Sequence, residues 1–428
     1  TTTGSTTIDS VFSTAVKARG AWSNAYFRCL SQGLPYRNDW NSMIQEAVSG
    51  TLTYGHGWSM SRNIIINGMN STSTNEDMEG YISNFTYIRQ AYLVIENIDK
   101  VKDMTGEEKA VVKAEMKALI AYRYAQMLIM YGGVPIISGS LNADGDLALP
   151  RKPAKDVLDS VVNWCDQAIA VLPSVWEDTW KGRMTKSAAL AIKSKVLLYA
   201  ARPLFNSAAP YLGFAGNNEL ICFGSADANR WNTAAAAAEA LITEAETNGG
   251  AFIINTGNPI EDYGVATSRP GNAEVLLAFK LANTSGDNGD WNTYPMTAWY
   301  YPRINGTNVA AAAFTCTYSH LINYYKQDGT EQTWPAQNVM TPFSDYLARM
   351  NEMEPRFKAD FKPYQMAAWN NPGDNNWNAT SVGLGYSNGA ATSVKFYYKA
   401  GTRRWFEFPV FRLAAAYLSA AEAYNEMG

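Results

Sequence analysis

The sequence predicts a mostly α-helical protein, in which tetratricopeptide-like helical hairpins form a scaffold and a large loop-rich insertion contains short strands. Through most of the first 250 residues, apolar residues recur at steps of three and four, which places them on one face of a helix. After about Gly249 that pattern gives way to Gly, Pro, Asn and aromatic residues. We therefore divide the chain into a helical scaffold at residues 1–249, an irregular aromatic- and Asn-rich ligand-binding region at 250–409 and a returning scaffold helix at 410–428.

The periodic segments of the scaffold predict five successive helices. Their expected positions are about 75–104, a segment after Gly106 that ends before Gly132, a segment from Ala154 to just before Pro173, a segment capped by Thr185, and 231–247. Gly-Gly and proline end a helix because glycine loosens the backbone and proline cannot continue the hydrogen-bond ladder. The strict tetratricopeptide signature is not met, so the spacing supports helical hairpins more strongly than it supports the repeat itself.

The irregular region contains short segments that favour strands. Residues 274–279 and 394–398 are rich in β-branched and aromatic side chains. A last helix is expected from Val410 to about Met427. Because the sequence supplies no partner for its apolar face after Gly428, we expect the native protein to continue.

Composition and charge exclude several classes of function. The net charge of the 428 residues is -4 and the cationic residues are scattered, which argues against nucleic acid and against a polybasic membrane patch. The four cysteines form no CxxC pair and there are only two histidines, so neither a zinc site nor a histidine-rich metal site is expected. Cys165 lies on an apolar helical stripe and is expected to be buried. No apolar run has the length of a membrane span, and the first residues are polar, so any export signal or anchor must precede them.

Four stretches, in this order, resemble the SusD/RagB family of surface nutrient-binding lipoproteins. They are residues 114–124 leading to Tyr131-Gly132-Gly133-Val134-Pro135-Ile136, residues 182–191 running into 197–206, the alanine-rich helix behind Trp231, and Arg412-Leu413-Ala414 followed by 420–425. Each stretch is weak alone, whereas the ordered set is specific. Ala118 and Ile120 depart from the family, which more usually has an aromatic residue and an arginine there.

The resemblance implies a function as well as a fold. It implies four tetratricopeptide-like units carrying a variable aromatic region, and a glycan-binding protein that captures oligosaccharides or polysaccharides. It also implies a SusC-like TonB-dependent outer-membrane transporter as partner. Attachment to the outer membrane at the cell surface, through a lipidated N-terminal cysteine absent from this chain, is likewise implied by the resemblance alone.

A glycan site needs aromatic rings beside hydrogen-bonding side chains, because a sugar presents an apolar C–H face surrounded by hydroxyls. Two windows, residues 283–308 and 364–378, mix tryptophan and tyrosine with many asparagines, and a shorter one lies at residues 54–58. The ligand-binding candidates are Trp58, Trp291, Asn292, Trp299, Tyr301, Trp369 and Trp377.

Three other residues are weaker candidates. Trp334 is a further exposed-ring candidate, and Arg62 and Arg303 could fork onto hydroxyls or a uronic acid. By contrast, three tryptophans within predicted helices are expected to be core residues, namely Trp22, Trp164 and Trp231.

No cofactor is predicted and no enzyme is expected. Asp287, Asn288 and Asp290 could offer oxygens to calcium, but the EF-hand spacing is missing. Residues 385–389 match GxSxG, yet no histidine follows Ser387, as an α/β-hydrolase requires. Carboxylates are present in the irregular region without a pair that stands out, so a glycoside hydrolase is a minor alternative. The principal alternative is a peptide-binding RagB-like importer subunit.

Overall fold

The computed structural model of the chain describes residues 7–31, 49–54, 80–141, 148–214, 216–280, 314–336, 339–363, 366, 391–393, 395 and 407–428. The helices are α1 (Ile8–Val11), α2 (Ala15–Ser31), α3 (Tyr81–Asn97), α4 (Gly106–Tyr131), α5 (Ala154–Ile169), α6 (Lys186–Ala201), α7 (Asn229–Thr247), α8 (Pro259–Ser268), α9 (Tyr318–Leu321), α10 (Phe343–Glu352), α11 (Pro355–Asp360) and α12 (Leu413–Met427). The strands are β1 (Leu52–Tyr54), β2 (Val275–Lys280), β3 (Phe314–Cys316), β4 (Phe361–Pro363), β5 (Ala391–Ser393) and β6 (Glu407–Arg412). This mostly helical chain with short strands has the fold class that the sequence predicts.

The scaffold helices form one continuous array. Each helix from α2 to α7 packs on the next, and α12 packs on α7. Helix α4 lies inside the array, because α2, α3, α5 and α6 all contact it. Its first turn is exposed, but from Ala114 to Leu128 most of its side chains are buried, including those of Glu115 and Arg123. The larger of two hydrophobic clusters in the described part of the chain contains residues of these helices and of the strands.

Local sequence signals explain where the scaffold helices begin and end. Thr105 and Glu108 form a capping box, with Glu108 N 3.2 Å from Thr105 Oγ1 and Thr105 N 2.7 Å from Glu108 Oε2. Thr185 caps α6 as predicted, since its Oγ1 accepts from Ala188 N at 3.2 Å. Gly132 ends α4 with a φ of 74°, a conformation that favours glycine.

Two helix boundaries differ from the prediction. Helix α3 ends at Asn97, and a tight 3₁₀ turn (Ile98–Lys100) follows it, so the helix does not reach residue 104. Gly106 is the first residue of α4 and not a spacer before it, because the Thr105 cap fixes the start of the helix there.

The returning scaffold helix also starts later than predicted. Residues 410–412 belong to β6, which pairs antiparallel with β2, and α12 begins only at Leu413. The aromatic and β-branched residues of β6 suit a strand once β2 is present to pair with them. The strand predicted at residues 274–279 is confirmed as β2. Of residues 394–398, only Lys395 is described, and it is not in a strand.

Candidate functional site

A four-stranded sheet carries the ends of the three segments that contain the candidate ligand-binding residues. Its strand order is β1-β3-β5-β4, and every neighbouring pair is antiparallel. Strand β1 precedes residues 55–79, and β3 follows residues 281–313. Strands β4 and β5 flank residues 367–390. One small sheet thus brings together segments that are far apart in the sequence. Its strands β1 and β5 are separated by about 340 residues.

The register of the sheet decides which of these segments meet at the same end of the strands. Tyr54 pairs with Phe314, so the segment containing Trp58 leaves the sheet where the segment of residues 281–313 returns to it. Pro363 pairs with Ala391 at the opposite end of the strands, so residues 367–390 leave and return there. Each strand has three residues, so the two ends of the strands are about 7 Å apart, measured along the strand direction.

Aromatic rings fix this sheet to the body of the protein. The ring of Phe361 in β4 lies 5.5 Å from that of Phe357 in α11 and 6.0 Å from that of Tyr324. His320 contacts the same rings, with its centroid 5.2 Å from Tyr324 and 6.0 Å from Phe361. Phe357 is fully buried and Phe361 nearly so. These contacts, of which the Phe357–Phe361 pair is tilted and the other three are edge-to-face, anchor the sheet to the body.

A buried carboxylate, Asp360, organises the polar contacts behind the sheet. Its Oδ2 accepts from the hydroxyls of Tyr263 and Tyr324, each at 3.3 Å, and its Oδ1 lies 3.7 Å from Lys395 Nζ. Burial raises the pKa of Tyr324, and the charge of Asp360 raises it further, so this hydroxyl stays protonated. Burial opposes the charge on Lys395, but Asp360 and Tyr263 outweigh it and raise the pKa of Lys395. The chain just after β5 is therefore tied by charge to the residue that precedes β4.

His320 stands beside this network in its neutral form. Burial lowers the pKa of His320, and the nearby charges of Lys395 and Arg356 lower it further, while Asp360 opposes them. Its Nε2 lies 3.4 Å from the hydroxyl of Tyr324. The histidine therefore contributes ring packing and a polar contact at neutral pH, without a positive charge.

The seven candidate ligand-binding residues all lie outside the described residues, and their roles stay predictions. They are Trp58, Trp291, Asn292, Trp299, Tyr301, Trp369 and Trp377. Arg62, Arg303, the calcium candidates Asp287, Asn288 and Asp290, and Ser387 of the GxSxG match also lie outside.

The other tryptophans named in the sequence analysis lie within the described residues. Trp334 is half-buried against the core, in edge-to-face contact with Tyr318 at 6.2 Å. Trp22 is buried in the core as predicted, and Trp164 is half-buried against it. Trp231 packs on a second, smaller cluster formed by α6, α7 and α12. Cys165 is fully buried, as its place on the apolar stripe predicts.

Two further tryptophans, Trp176 and Trp180, form a cluster that the sequence interpretation missed. The guanidinium carbon of Arg183 lies 3.9 Å from the ring centroid of Trp176 and 5.1 Å from that of Trp180. Both rings are half-buried, in a short segment between α5 and α6. The signal was only partly available, because this segment mixes Trp with Asp and Gly as the long windows do but lacks their asparagines.

The described part of the chain contains neither a metal-binding cluster nor a membrane-spanning helix. Within those ranges, no group of three or more His, Cys, Asp or Glu side chains is arranged to hold a metal ion. Among the helices of the described part, none combines the length and the apolar character needed to cross a membrane.

Comparison with solved structures identifies the fold. A SusD-like protein from Bacteroides fragilis superposes with a TM-score of 0.73 at 19% identity, over 98% of this chain and 77% of that one. A SusD-like carbohydrate-binding protein from the same species gives a TM-score of 0.64 at 16% identity, over 97% and 75% of the two chains. A laminarin-binding SusD-like protein gives 0.53 at 17% identity, over 96% and 81%.

Family models match both halves of the chain. A model described as "Starch-binding associating with outer membrane" matches residues 13–198, and the SusD family model matches residues 273–428. Among curated proteins, none matches the chain at a significant level. The order of the scaffold helices, the strand-containing insertion and these two matches agree, and the chain belongs to the SusD/RagB family of carbohydrate-binding proteins associated with the outer membrane.

Proposed function

We propose that this protein captures oligosaccharides at the cell surface, without cleaving them, and passes them to a SusC-like TonB-dependent transporter. The observation that carries the proposal is the four-stranded sheet. At one end of its strands it brings together the segment containing Trp58 and the segment of residues 281–313. At the other end, about 7 Å away along the strands, lie both ends of the segment of residues 367–390. These are the aromatic- and Asn-rich segments of a chain whose family is described as starch-binding.

The chemistry of these segments suits a sugar better than a charged ligand. Tryptophan and tyrosine offer flat apolar platforms that lose little side-chain entropy, and asparagine amides match pairs of hydroxyls. A shallow stacking site leaves much of the ligand in water, so weak to moderate affinity is expected. In this role the protein would be held at the outer membrane by a lipidated cysteine that precedes residue 1.

The first test is calorimetry of the purified protein against a panel of soluble polysaccharides. We expect one of them to bind, and Trp291→Ala or Trp369→Ala to lower the affinity about tenfold, since covering an aromatic ring with the apolar face of a sugar removes apolar area from water and is worth roughly 1–2 kcal/mol. Tyr211→Ala is the matched control, because that ring is 79% exposed and lies on the scaffold. Failure of every glycan to bind would contradict the proposal.

Two further measurements separate the alternatives. Release of reducing sugar from the bound polysaccharide would indicate a glycoside hydrolase. Salt-sensitive binding of charged peptides, with no glycan bound, would indicate a RagB-like peptide importer. The transporter step is tested by capturing detergent-solubilised outer-membrane proteins of the native bacterium on the tagged chain, where recovery of no SusC-like barrel would contradict it.

A further inference from the structure

A cavity of about 330 Å³ lies away from the four-stranded sheet, where the scaffold meets β2 and β6. Trp176 and Arg183 line it from the segment between α5 and α6, Gly249 lines it after α7, and Lys280 and Glu407 line it from the strands. Ligand pockets span roughly 300–1,000 Å³, so this one suits a mono- or disaccharide unit.

The charges that line this cavity are balanced within the protein. Lys280 Nζ lies 3.2 Å from Glu407 Oε2, and Lys181 Nζ lies 2.6 Å from Asp178 Oδ1. The guanidinium of Arg183 is paired with a buried carboxylate behind the wall at 2.7 Å. An anionic ligand would have to displace one of these carboxylates, and a cationic ligand would have to displace a lysine or arginine. The lining therefore favours a polar, uncharged ligand.

Two buried oxygens on the lining residues lack a hydrogen bond in the described structure. The side chain of Glu407 is 1% exposed; its Oε1 accepts from Gly271 N at 2.9 Å, but its Oε2 has only the ion pair. The hydroxyl of Ser187, a residue that is 4% exposed, has no partner. A Cβ at position 249 would lie 3.2 Å from that hydroxyl and 2.8 Å from Ala245 O, so glycine is the residue that fits there. Both oxygens are closed off from the cavity, so a sugar hydroxyl reaches one of them only after a side-chain rotation exposes it.

One wall of the cavity has an aromatic ring held in place. Trp176 Nε1 donates to Met184 O at 2.9 Å, and Arg183 lies against the ring at 3.9 Å. The half-buried indole is thus fixed before any ligand arrives. A fixed ring beside uncharged polar groups is the combination that recognises a sugar.

From the volume of the cavity, the balanced charge of its lining and the fixed indole, we infer that this cavity is a second saccharide subsite, which takes a neutral mono- or disaccharide unit. The inference rests on the proposed function, because it assigns the same class of ligand to a separate place. The site is built wholly from described residues and does not depend on the segments beyond the four-stranded sheet.

Fluorine NMR of the full chain labelled with 5-fluorotryptophan tests the subsite, with Trp176→Phe used to assign the Trp176 signal. The probes are maltose, cellobiose and laminaribiose, with glucuronic acid as the charged comparison. We expect at least one disaccharide to shift the Trp176 signal, and the shift to persist in the variant with both Trp291→Ala and Trp369→Ala. No shift with any of the three disaccharides, or a stronger response to glucuronic acid, would overturn the inference.

A double variant, Lys280→Met with Glu407→Gln, tests the polar lining without leaving an unpaired buried charge. We expect it to bind the disaccharide about tenfold more weakly, since it alters hydrogen bonds to charged groups. Its matched control is Lys155→Met with Asp159→Asn, an exposed pair on α5. An equal loss of disaccharide affinity in these two double variants would overturn the inference. If the variant at Lys280 and Glu407 does not fold, the shift of the Trp176 signal in the wild-type protein decides the case.

The two proposals fail in different ways. Polysaccharide binding that depends on Trp291 or Trp369, together with an unmoved Trp176 signal, would leave the proposed function standing and remove the subsite. A chain that binds no polysaccharide and no disaccharide would remove both.

Discussion

The guanidinium of Arg183 forks onto the carboxylate of Glu115, with Nε 2.7 Å from Oε1 and Nη2 2.7 Å from Oε2. Tyr26 donates its hydroxyl to the same Oε1 at 2.6 Å and accepts from Met184 N at 2.8 Å. The side chain of Glu115 is fully buried and that of Arg183 is 17% exposed. Burial and the charge of Glu115 raise the pKa of Tyr26, so its hydroxyl stays a donor. One contact thus joins α2, α4 and the segment before α6.

Arg183→Met should destabilise the protein strongly. Removing one partner of a buried ion pair leaves the other charge unpaired and typically costs about 3–5 kcal/mol. The free energy of unfolding in urea measures the effect. Asp159→Asn breaks the exposed pair with Lys155 and should cost no more than about 1 kcal/mol. A loss below about 1 kcal/mol for Arg183→Met would contradict the role we give to this contact.

Gly133→Ala should also destabilise the fold, because there is no room for a side chain. A Cβ at this position would lie 1.9 Å from Lys152 O, a backbone atom that cannot move aside alone. We expect a loss of at least about 2 kcal/mol in the free energy of unfolding.

The control for that substitution is Gly20→Ala. Gly20 lies within α2, and a Cβ there would meet nothing within 4 Å. Alanine should stabilise the protein by about 0.5–1 kcal/mol, because it restricts the unfolded chain and favours the helix. Equal effects of the two substitutions would show that close packing does not explain the Gly-Gly pair.

The scaffold could be predicted from the sequence because its signals are local. Apolar periodicity and the caps at Thr105 and Thr185 act within a few residues, and the structure places helices where they indicate. The predicted start of α12 was wrong because β6 forms by pairing with β2. The paired residues Lys280 and Glu407 are 127 positions apart in the sequence. Short strands carry little information of their own until the partner is known.

The buried contacts could not be predicted for a related reason. Glu115 carries a charged side chain, a residue type that is rarely buried, and yet it is fully buried here. Its partner is 68 residues away. Likewise, composition selects the windows that contain Trp291 and Trp369, but ring exposure depends on tertiary contacts that composition does not encode.

Glu244 should make part of the stability depend on acid pH. Burial alone would raise its pKa, but hydrogen bonds from Ser174 Oγ at 2.5 Å and Asn248 Nδ2 at 2.7 Å, with the charge of Lys186, lower it. A carboxylate with a lowered folded pKa stabilises the protein above its unfolded pKa of about 4.3, and this contribution is lost as the pH falls through the folded value.

Glu244→Gln should therefore be less stable than the wild type at pH 7, and the difference should shrink below about pH 4. Melting temperatures from pH 7 down to pH 3 measure this, with the exposed Glu219→Gln as the charge control. A difference that stays constant over this range would mean that the ionised carboxylate is not what Glu244 contributes.

Asp360→Asn should loosen the four-stranded sheet while keeping its shape. The amide is nearly isosteric, but it removes the charge opposite Lys395 Nζ and weakens the bonds from Tyr263 and Tyr324, at a cost of about 1–3 kcal/mol. Because Lys395 follows β5 by two residues, faster hydrogen exchange is expected at the backbone amides of β5. Asp9→Asn, which breaks an exposed pair with Lys100 on the scaffold, should leave that exchange unchanged.

If the sheet positions the proposed glycan site, Asp360→Asn should also weaken polysaccharide binding in calorimetry, although no aromatic ring has been removed. Unchanged exchange at β5 would show that Asp360 does not hold the sheet, and unchanged affinity with faster exchange would show that binding does not depend on its rigidity.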